Sequence, residues 1–299
     1  MPLLKIHHKT EYRYTRPVAF GEHRAMLRPS DSHDQRVFFY ELDIKPAPVR
    51  LRSIHDAFGN SVAIASFDER ADTLTFTSDV VIQHKPGPAF TLTPDEQAYF
   101  YPFLYDSDEY PDLLQFVSPQ YADANGELDA WARTFLDEQA PTPTFGILSR
   151  MTHGIHDQLT YRARYEQGTQ HPLDTLQSGS GTCRDYALLM IEGLRRLGIA
   201  ARFVSGYLFV PDADGEHHAG GGSTHAWVQV YLPSAGWIEF DPTNAIEGTR
   251  DLIRVAVARD PAQAVPLHGS YVGGDAFIGM EVNVNVSSIE EPFEMEAET

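Results

Sequence analysis

The sequence has 299 residues, of which 42% are hydrophobic and 22% are charged; these values are ordinary for a globular protein and exclude wholesale disorder or a fibrous repeat. Its 23 basic and 42 acidic residues give a formal net charge of −19, which leaves no net attraction for nucleic acid or for anionic lipid. The length suits two domains, and the single cysteine excludes an intramolecular disulfide and is consistent with a reducing compartment.

The sequence lacks the apolar segments that export or membrane insertion requires. Its first residues, MPLLKIHHKTEYRYTRP, contain no apolar run of about 7–15 residues such as a signal peptide has. No uninterrupted apolar run approaches the roughly 18 residues of a membrane-spanning helix. We therefore expect a cytoplasmic protein with neither a membrane nor a nucleic acid as its partner.

Residues 1–90 have the pattern of an all-β domain. Segments rich in β-branched and aromatic residues alternate with breaks at proline and at Gly59-Asn60. The segment DTLTFTS, from Asp72, alternates polar and apolar residues as a half-buried strand does. We predict a β-sandwich-like domain, with strands at residues 4–14, 37–45, 53–57, 61–66 and 73–83.

Residues 91–143 are predicted to be a connecting region. Pro94 and Pro102 favour extended chain over helix in its first part. A short helical turn is predicted over 111–120, and a better helix over 125–138, where Leu128 and Trp131 fall on one side.

Residues 144–286 are predicted to form an α+β core, because helices are followed by antiparallel strands. The helix over 183–197 has a broad apolar stripe, and Gly198 ends it. An acidic tail, 287–299, is expected to be solvated. The other predicted core elements are a helix at 144–159 and strands at 201–210, 225–232, 237–241 and 280–286.

The segment SGSGT delivers Cys183 to the first turn of the predicted helix. Unpaired N–H groups and the helix macrodipole favour negative charge there, and so favour thiolate over thiol. The glycines let a substrate backbone approach closely. From this segment alone, a buried structural cysteine is the alternative.

A histidine and an aspartate lie at the ends of two strands that follow the cysteine. His225 begins one strand and Asp241 ends the next, so a hairpin makes them neighbours. They would be directly opposite only with a tight loop at 232–234; a four-residue turn at 233–236 would offset them by about 10 Å, at roughly 3.4 Å per residue. We therefore expect the tighter register, or a bulge that restores the alignment.

Three segments resemble the core of bacterial transglutaminase-like cysteine proteases: GTCRDYALLMIEGLRRLGIAARFVSGYL, STHAWVQVYLPSAGWIEFDPTN and the later RDP…PLHGSY at 259–271. The N-terminal YRYTRPV…HRAMLRPS, with DAFGN at 56–60, resembles the β-rich domain that precedes this core. The resemblance implies a papain-like fold in which Cys183 is the nucleophile, His225 the general base and Asp241 the residue that orients the imidazole. It implies no cofactor and no metal. Thr182 stands where many relatives have a bulky apolar residue.

The implied activity is thiol-dependent hydrolysis of a peptide or protein amide through a thioester. The alternatives are a transglutaminase, which passes the acyl group to an amine, and a scaffolding protein that has lost activity. Acyl transfer from coenzyme A is disfavoured by the acidic chain and the long β-domain. The backbone N–H of Cys183 is the expected first oxyanion donor; Tyr161 and Gln177 are candidates for the second.

The histidine-rich segment PDADGEHHAGGGS is interpreted as a flexible loop beside the active site rather than a metal site. The spacing of its metal-binding residue types matches no zinc motif. Its DADG sequence lacks the remaining ligands of a calcium loop. The residues concerned are Asp212, Asp214, Glu216, His217 and His218.

Overall fold

The computed structural model describes residues 3–85, 87, 96–138, 141–162, 168–209, 222–249 and 251–289. A seven-stranded antiparallel sheet is built from both ends of the chain, and a mixed helix and sheet unit is built from the middle. The α+β class expected from the sequence is confirmed. Within these ranges, no helix has both the length and the apolar character to cross a membrane.

The first sheet is organised around one very long strand, β1, which pairs with four others. Bulges shift its register between Arg13 and Val18 and between Phe20 and His23, so one strand can serve different partners along its length. The strands of this sheet are β1 (Leu3–Ala25), β2 (Gln35–Lys45), β3 (Arg50–His55), β4 (Ser61–Ser66), β5 (Arg70–His84), β15 (Leu267–Val272) and β16 (Phe277–Ile289).

The two C-terminal strands belong to this first sheet and not to the core. We expected the strand near residues 280–286 to lie in the core, but β16 pairs with β1 from Leu3↔Ile289 to Tyr14↔Phe277. Strand β15 continues along β1 from Ala19 to Ala25. The core boundary expected at residue 286 is therefore too late, since residues 267–289 complete the β-domain. The expected acidic tail lies outside the described residues beyond position 289.

The core is a five-stranded sheet, in the order β13-β12-β11-β10-β14, with α5 packed on β10 and β11. Twelve of the fourteen residues of α5 are buried, because α1–α4 pack on it from other sides. The elements are α1 (Tyr110–Val117), α2 (Glu127–Arg133), α3 (Thr144–Gln158), α4 (Pro172–Ser178), α5 (Cys183–Arg196), β10 (Ala201–Leu208), β11 (His225–Leu232), β12 (Gly236–Asp241), β13 (Ile246–Glu247) and β14 (Leu252–Ala258), with the short strands β6 (Phe100–Tyr101), β7 (Thr142–Pro143), β8 (Thr160–Tyr161) and β9 (Ser180–Gly181).

The β-domain and the core share buried contacts. Asn60, only 1% exposed, donates from Nδ2 to the carbonyl of Val257 at 2.7 Å and accepts from its N–H at 2.9 Å. Asp56 holds the same amide group at 2.8 Å. Farther along the interface, His8 on β1 is hydrogen-bonded to the hydroxyl of Tyr207 on β10. These contacts fix the β-domain against the sheet that carries the site.

Replacing Asn60 with alanine should weaken this attachment. The change leaves the N–H and C=O of Val257 buried without partners, at about 1–3 kcal/mol for each such group. We expect the free energy of unfolding, measured in urea, to fall by about 3 kcal/mol. Asn125→Ala is the matched control, because its 3.3 Å bond to Glu127 is exposed; equal losses in the two variants would contradict the assignment.

Candidate active site

Cys183 is the first residue of α5 and is 7% exposed. The chain reaches it through β9, which pairs in parallel with β8, so that Tyr161 lies beside Gly181. The first N–H groups of a helix have no intrahelical partners, and the macrodipole is positive there. The local fold therefore holds the sulfur at the end of the helix that favours negative charge.

Asp185 secures the start of α5. Its Oδ2 accepts hydrogen bonds from the backbone N–H and the hydroxyl of Thr182, at 2.8 and 2.9 Å, and its Oδ1 accepts from the N–H of Gln170 at 2.7 Å. A Cβ at Gly181 would lie 2.8 Å from the Cβ of Asp185, so glycine is needed there. Thr182 is the departure from the expected apolar residue, and its hydroxyl supplies one of these hydrogen bonds, which an apolar side chain could not make.

His225 and Asp241 meet across the β11–β12 hairpin. Leu232 pairs with Gly236 across a three-residue loop, and Val228 pairs with Phe240. Continuing this register puts Asp241 opposite Trp227, so His225 is its diagonal neighbour on the same face. Diagonal positions are about 7–8 Å apart and within reach of long side chains. Nε2 of His225 lies 2.7 Å from Oδ2 of Asp241, so the expectation of a tighter register or a bulge was wrong.

Thr243 and Asn244, which follow Asp241 in the sequence, donate the remaining hydrogen bonds to its carboxylate. The N–H of Thr243 donates to Oδ1 of Asp241, and Nδ2 of Asn244 donates to Oδ2, both at 2.8 Å. From α3, His156 donates from Nδ1 to the carbonyl of Thr243 at 2.8 Å and so fixes this turn. These positioning residues were missed in the sequence, although the DPTN segment that contains two of them was part of the recognised motif.

The other ring nitrogen of His225, Nδ1, is not used by Asp241. Nδ1 is buried and has no partner at ordinary hydrogen-bond distance within the described residues. The Cys183 side chain nevertheless lies close enough for its charge to raise the pKa of His225. The structure thus brings together the three residues singled out from the sequence; Asp241 occupies Nε2, and Nδ1 is the ring nitrogen left for Cys183.

The charge state of the histidine–aspartate pair follows from burial and mutual attraction. Burial acts to lower the pKa of His225, but the Asp241 carboxylate, and then Cys183, raise it to about 10. Burial acts to raise the pKa of Asp241, but His225, Asn244 and Thr243 together hold it below its usual value. At neutral pH the pair is therefore an imidazolium and a carboxylate.

Tyr161 is another side chain whose pKa Cys183 influences. Its pKa is raised by burial first, and then by the charge of Cys183 and a hydrogen bond with it. Its ring also meets Tyr186 edge-on, with ring centroids 6.3 Å apart. Gln177, the other candidate from the sequence, instead donates to Glu127 at 2.9 Å on the exposed surface.

A cavity of about 300 Å³ reaches Cys183 from between the two parts of the protein. The core contributes residues 182–184 and Thr224, and the β-domain contributes side chains of β1 and β16. A larger groove, of about 730 Å³, lies on the first sheet near Arg28 and contains none of the three site residues. Among the described residues, no three metal-binding side chains cluster; the histidine-rich segment lies outside those residues.

Comparison with protein families and solved structures covers both parts of the chain. Residues 4–83 match the bacterial transglutaminase-like N-terminal region, and residues 130–242 match the transglutaminase-like superfamily. The second match contains Cys183, His225 and Asp241. It ends before the two strands that complete the first sheet.

Three relatives illustrate the range of similarity. An uncharacterized protein of Mycobacterium tuberculosis is 31% identical over 98% of this chain and 94% of its own length. A crystal structure described as a "Putative Cysteine Protease", from Cytophaga hutchinsonii, has a TM-score of 0.71 at 21% identity and covers 98% of this chain and 92% of that chain, so both parts share its fold. A protein-glutamine gamma-glutamyltransferase of Pseudomonas aeruginosa is 37% identical over only 24% of this chain and 11% of its own.

The protonated His225 should make stability depend on pH. The folded protein holds a proton up to about pH 10 that the unfolded chain releases near 6.5, so its stabilising contribution is complete below 6.5 and is lost as the pH rises towards 10. We expect the free energy of unfolding in urea to fall between pH 7 and 9 by up to about 1.4 kcal/mol per pH unit. His225→Gln should show a shallower slope and the exposed-site control His153→Gln the wild-type slope; identical slopes in all three would contradict a protonated His225.

Proposed function

Because the chain belongs to the transglutaminase-like superfamily, we propose that it is a thiol-dependent amide hydrolase acting through Cys183, His225 and Asp241. One observation carries this proposal: in a fully buried His225–Asp241 pair, 2.7 Å apart, Nδ1 of His225 has no hydrogen-bond partner among the described residues, and the cysteine that influences the pKa of this ring lies at a helix N-terminus. Acyl transfer by a thiol requires a nucleophile, a base and a group that orients the base, and the proposal assigns these roles to Cys183, His225 and Asp241. The peptide or protein substrate and the cytoplasmic location stay predictions from the sequence.

In the acylation step, the sulfur of Cys183 attacks the carbonyl carbon of the amide. As the C–N bond breaks, the imidazolium of His225 gives its Nδ1 proton to the leaving amine, and a thioester forms. Asp241 stays ionised, because it is held by His225 and by the two donors that follow it. It thereby fixes the ring with Nδ1 towards the sulfur.

In the deacylation step, neutral His225 takes a proton from water as the water attacks the thioester. The carboxylic acid leaves, and the sulfur and the imidazolium are restored. An amine in place of water would give a new amide, as in a transglutaminase, through the same thioester. We prefer hydrolysis because water needs no second binding site.

Alkylation by iodoacetamide tests whether Cys183 is activated. We expect the wild type to be modified at Cys183 at pH 6–7, and His225→Ala to react at least about tenfold more slowly, since the imidazolium that stabilises the thiolate is absent. Cys183→Ser should not react. Reactivity that rises with pH like that of a free thiol and is unaffected by the histidine change would contradict the proposal.

Incubation with casein and a fluorescent primary amine separates the candidate reactions. Release of peptides without label indicates hydrolysis, and labelled casein indicates the transglutaminase alternative. An alkylatable Cys183 with neither product would favour the scaffolding alternative. Both products should be lost in Cys183→Ser.

The tetrahedral intermediate requires donors for its oxyanion, and we assign these to the backbone N–H of Cys183 and the hydroxyl of Tyr161. The hydroxyl is supported by the influence of Cys183 on the pKa of Tyr161 and by the β8–β9 pairing that places Tyr161 beside Gly181. Tyr186, whose buried hydroxyl makes no hydrogen bond among the described residues, offers a matched comparison.

Tyr161→Phe should slow acylation of Cys183 by p-nitrophenyl acetate about 10- to 100-fold relative to its alkylation by iodoacetamide. Acylation develops an oxyanion, whereas alkylation at a saturated carbon does not. Stopped-flow release of nitrophenolate measures the first rate, and mass spectrometry the second. Tyr186→Phe should keep the wild-type ratio. If Tyr161→Phe slows both reactions equally, the hydroxyl acts on the sulfur and not on an oxyanion.

A further inference from the structure

The outer edge of β16 is unpaired beside the cavity that reaches Cys183. β16 is hydrogen-bonded to β1 on one side, and no strand of the described residues pairs with its other side. Unpaired edges offer backbone donors and acceptors to another extended chain. This edge is therefore a place where a polypeptide can be bound through its backbone.

One hydrogen bond shows which backbone N–H and C=O groups of β16 point away from β1. The N–H of Val284 points away from β1 and donates to the carbonyl of Gly222 at 2.9 Å. Residues two apart in a strand direct their backbone groups to the same side, and the β1–β16 register is unbroken from Val284 to Met280. Met280 and Val282 therefore also direct their N–H and C=O groups to the outer edge.

The chain itself already occupies the strand position beside Val284. Gly222 lies there, and the segment from it leads through Thr224 into His225. No described residue takes the equivalent positions beside Val282 and Met280, and Met280 is 54% exposed. The unpaired part of the β16 edge therefore begins next to Gly222, where the segment that leads to His225 moves away from β16.

The open edge is continuous with the candidate active site. Met280 and Val282 line the same cavity of about 300 Å³ as Cys183 and Thr224. Val265 and Leu267 add apolar surface. The cavity thus combines a backbone edge in the β-domain with an apolar wall formed by Leu267 of the β-domain and Val265 of the segment that leads into β15.

We propose that an extended polypeptide substrate binds by adding a strand to β16 at Met280 and Val282, with an apolar side chain near the reactive amide seated against Val265 and Leu267. The proposal rests on the amide hydrolysis proposed above. Backbone pairing gives affinity that tolerates different sequences, and the apolar pocket supplies the selectivity. The β-domain is then the substrate-binding part of the enzyme.

Proline at position 280 tests the backbone bond. An outward-facing N–H on an edge strand is the position where proline is tolerated, because the ladder to β1 does not use it. Met280→Pro should lower kcat/KM for fluorescent casein about tenfold relative to the rate of Cys183 acylation by p-nitrophenyl acetate, as loss of one substrate hydrogen bond predicts. Val286→Pro is the matched control, since it removes an outward N–H about 20 Å farther along β16, and it should keep the wild-type ratio.

An unchanged ratio in Met280→Pro, or an equal fall in both proline variants, would overturn the proposal. If Met280→Pro does not fold, hydrogen exchange in the full-length Cys183→Ala protein replaces it. Adding casein should then slow exchange of the amides of Met280 and Val282, and unchanged exchange overturns the proposal. A wild-type protein that is acylated by the ester but leaves casein intact overturns strand addition, whereas failure of the ester reaction itself defeats the proposed function.

Discussion

The buried pair of His225 and Asp241 is the interaction on which the rest of the site depends. Both side chains are removed from water, and an isolated charge in that position would cost several kcal/mol. Each therefore requires the other, and the two donors after Asp241 satisfy the remaining carboxylate positions. Because the pair uses Nε2, only Nδ1 is left for another partner, so the electrostatic need for pairing also sets which ring nitrogen serves in the proposed reaction.

The cysteine is brought to this pair by a helix that is fixed at both ends. Asp185 holds the first turn of α5, as described above, while Arg195 holds the last. Arg195 is 2% exposed; it pairs with Glu192 at 2.9 Å and donates to the backbone carbonyls of Phe116, Ala201 and Arg259. All of these groups are satisfied, so the ion pair acts as a rigid anchor between α5, α1 and the sheet. The sulfur is consequently positioned by contacts at both ends of a 14-residue helix.

The local residue pattern predicted the helices and strands that carry the site. It did not predict which strands pair when they are far apart in the sequence. The helices over 144–158 and 183–196 end within one residue of their predictions, because apolar periodicity and Gly198 define them locally. The hairpin was predicted, but its register was not, since we required directly opposite residues where a diagonal pair suffices. The pairing of β15 and β16 with β1 joins residues more than 240 positions apart, and a strand pattern does not specify its partner. The catalytic roles assigned to Cys183, His225 and Asp241 stay predictions.

The pairing of β1 with β15 and β16 also determines the order in which the parts of the cavity become available during synthesis. A ribosome that has polymerised residues 1–260 has made Cys183, His225 and Asp241, yet Leu267, Met280 and Val282 do not exist at that moment. Strand β1 is synthesised before the core, but its second edge is covered only after β15 and β16 have been made. Cys183 is thus present in the nascent chain before the cavity wall that contains Leu267, Met280 and Val282, and synthesis of β16 is what supplies the last part of that wall.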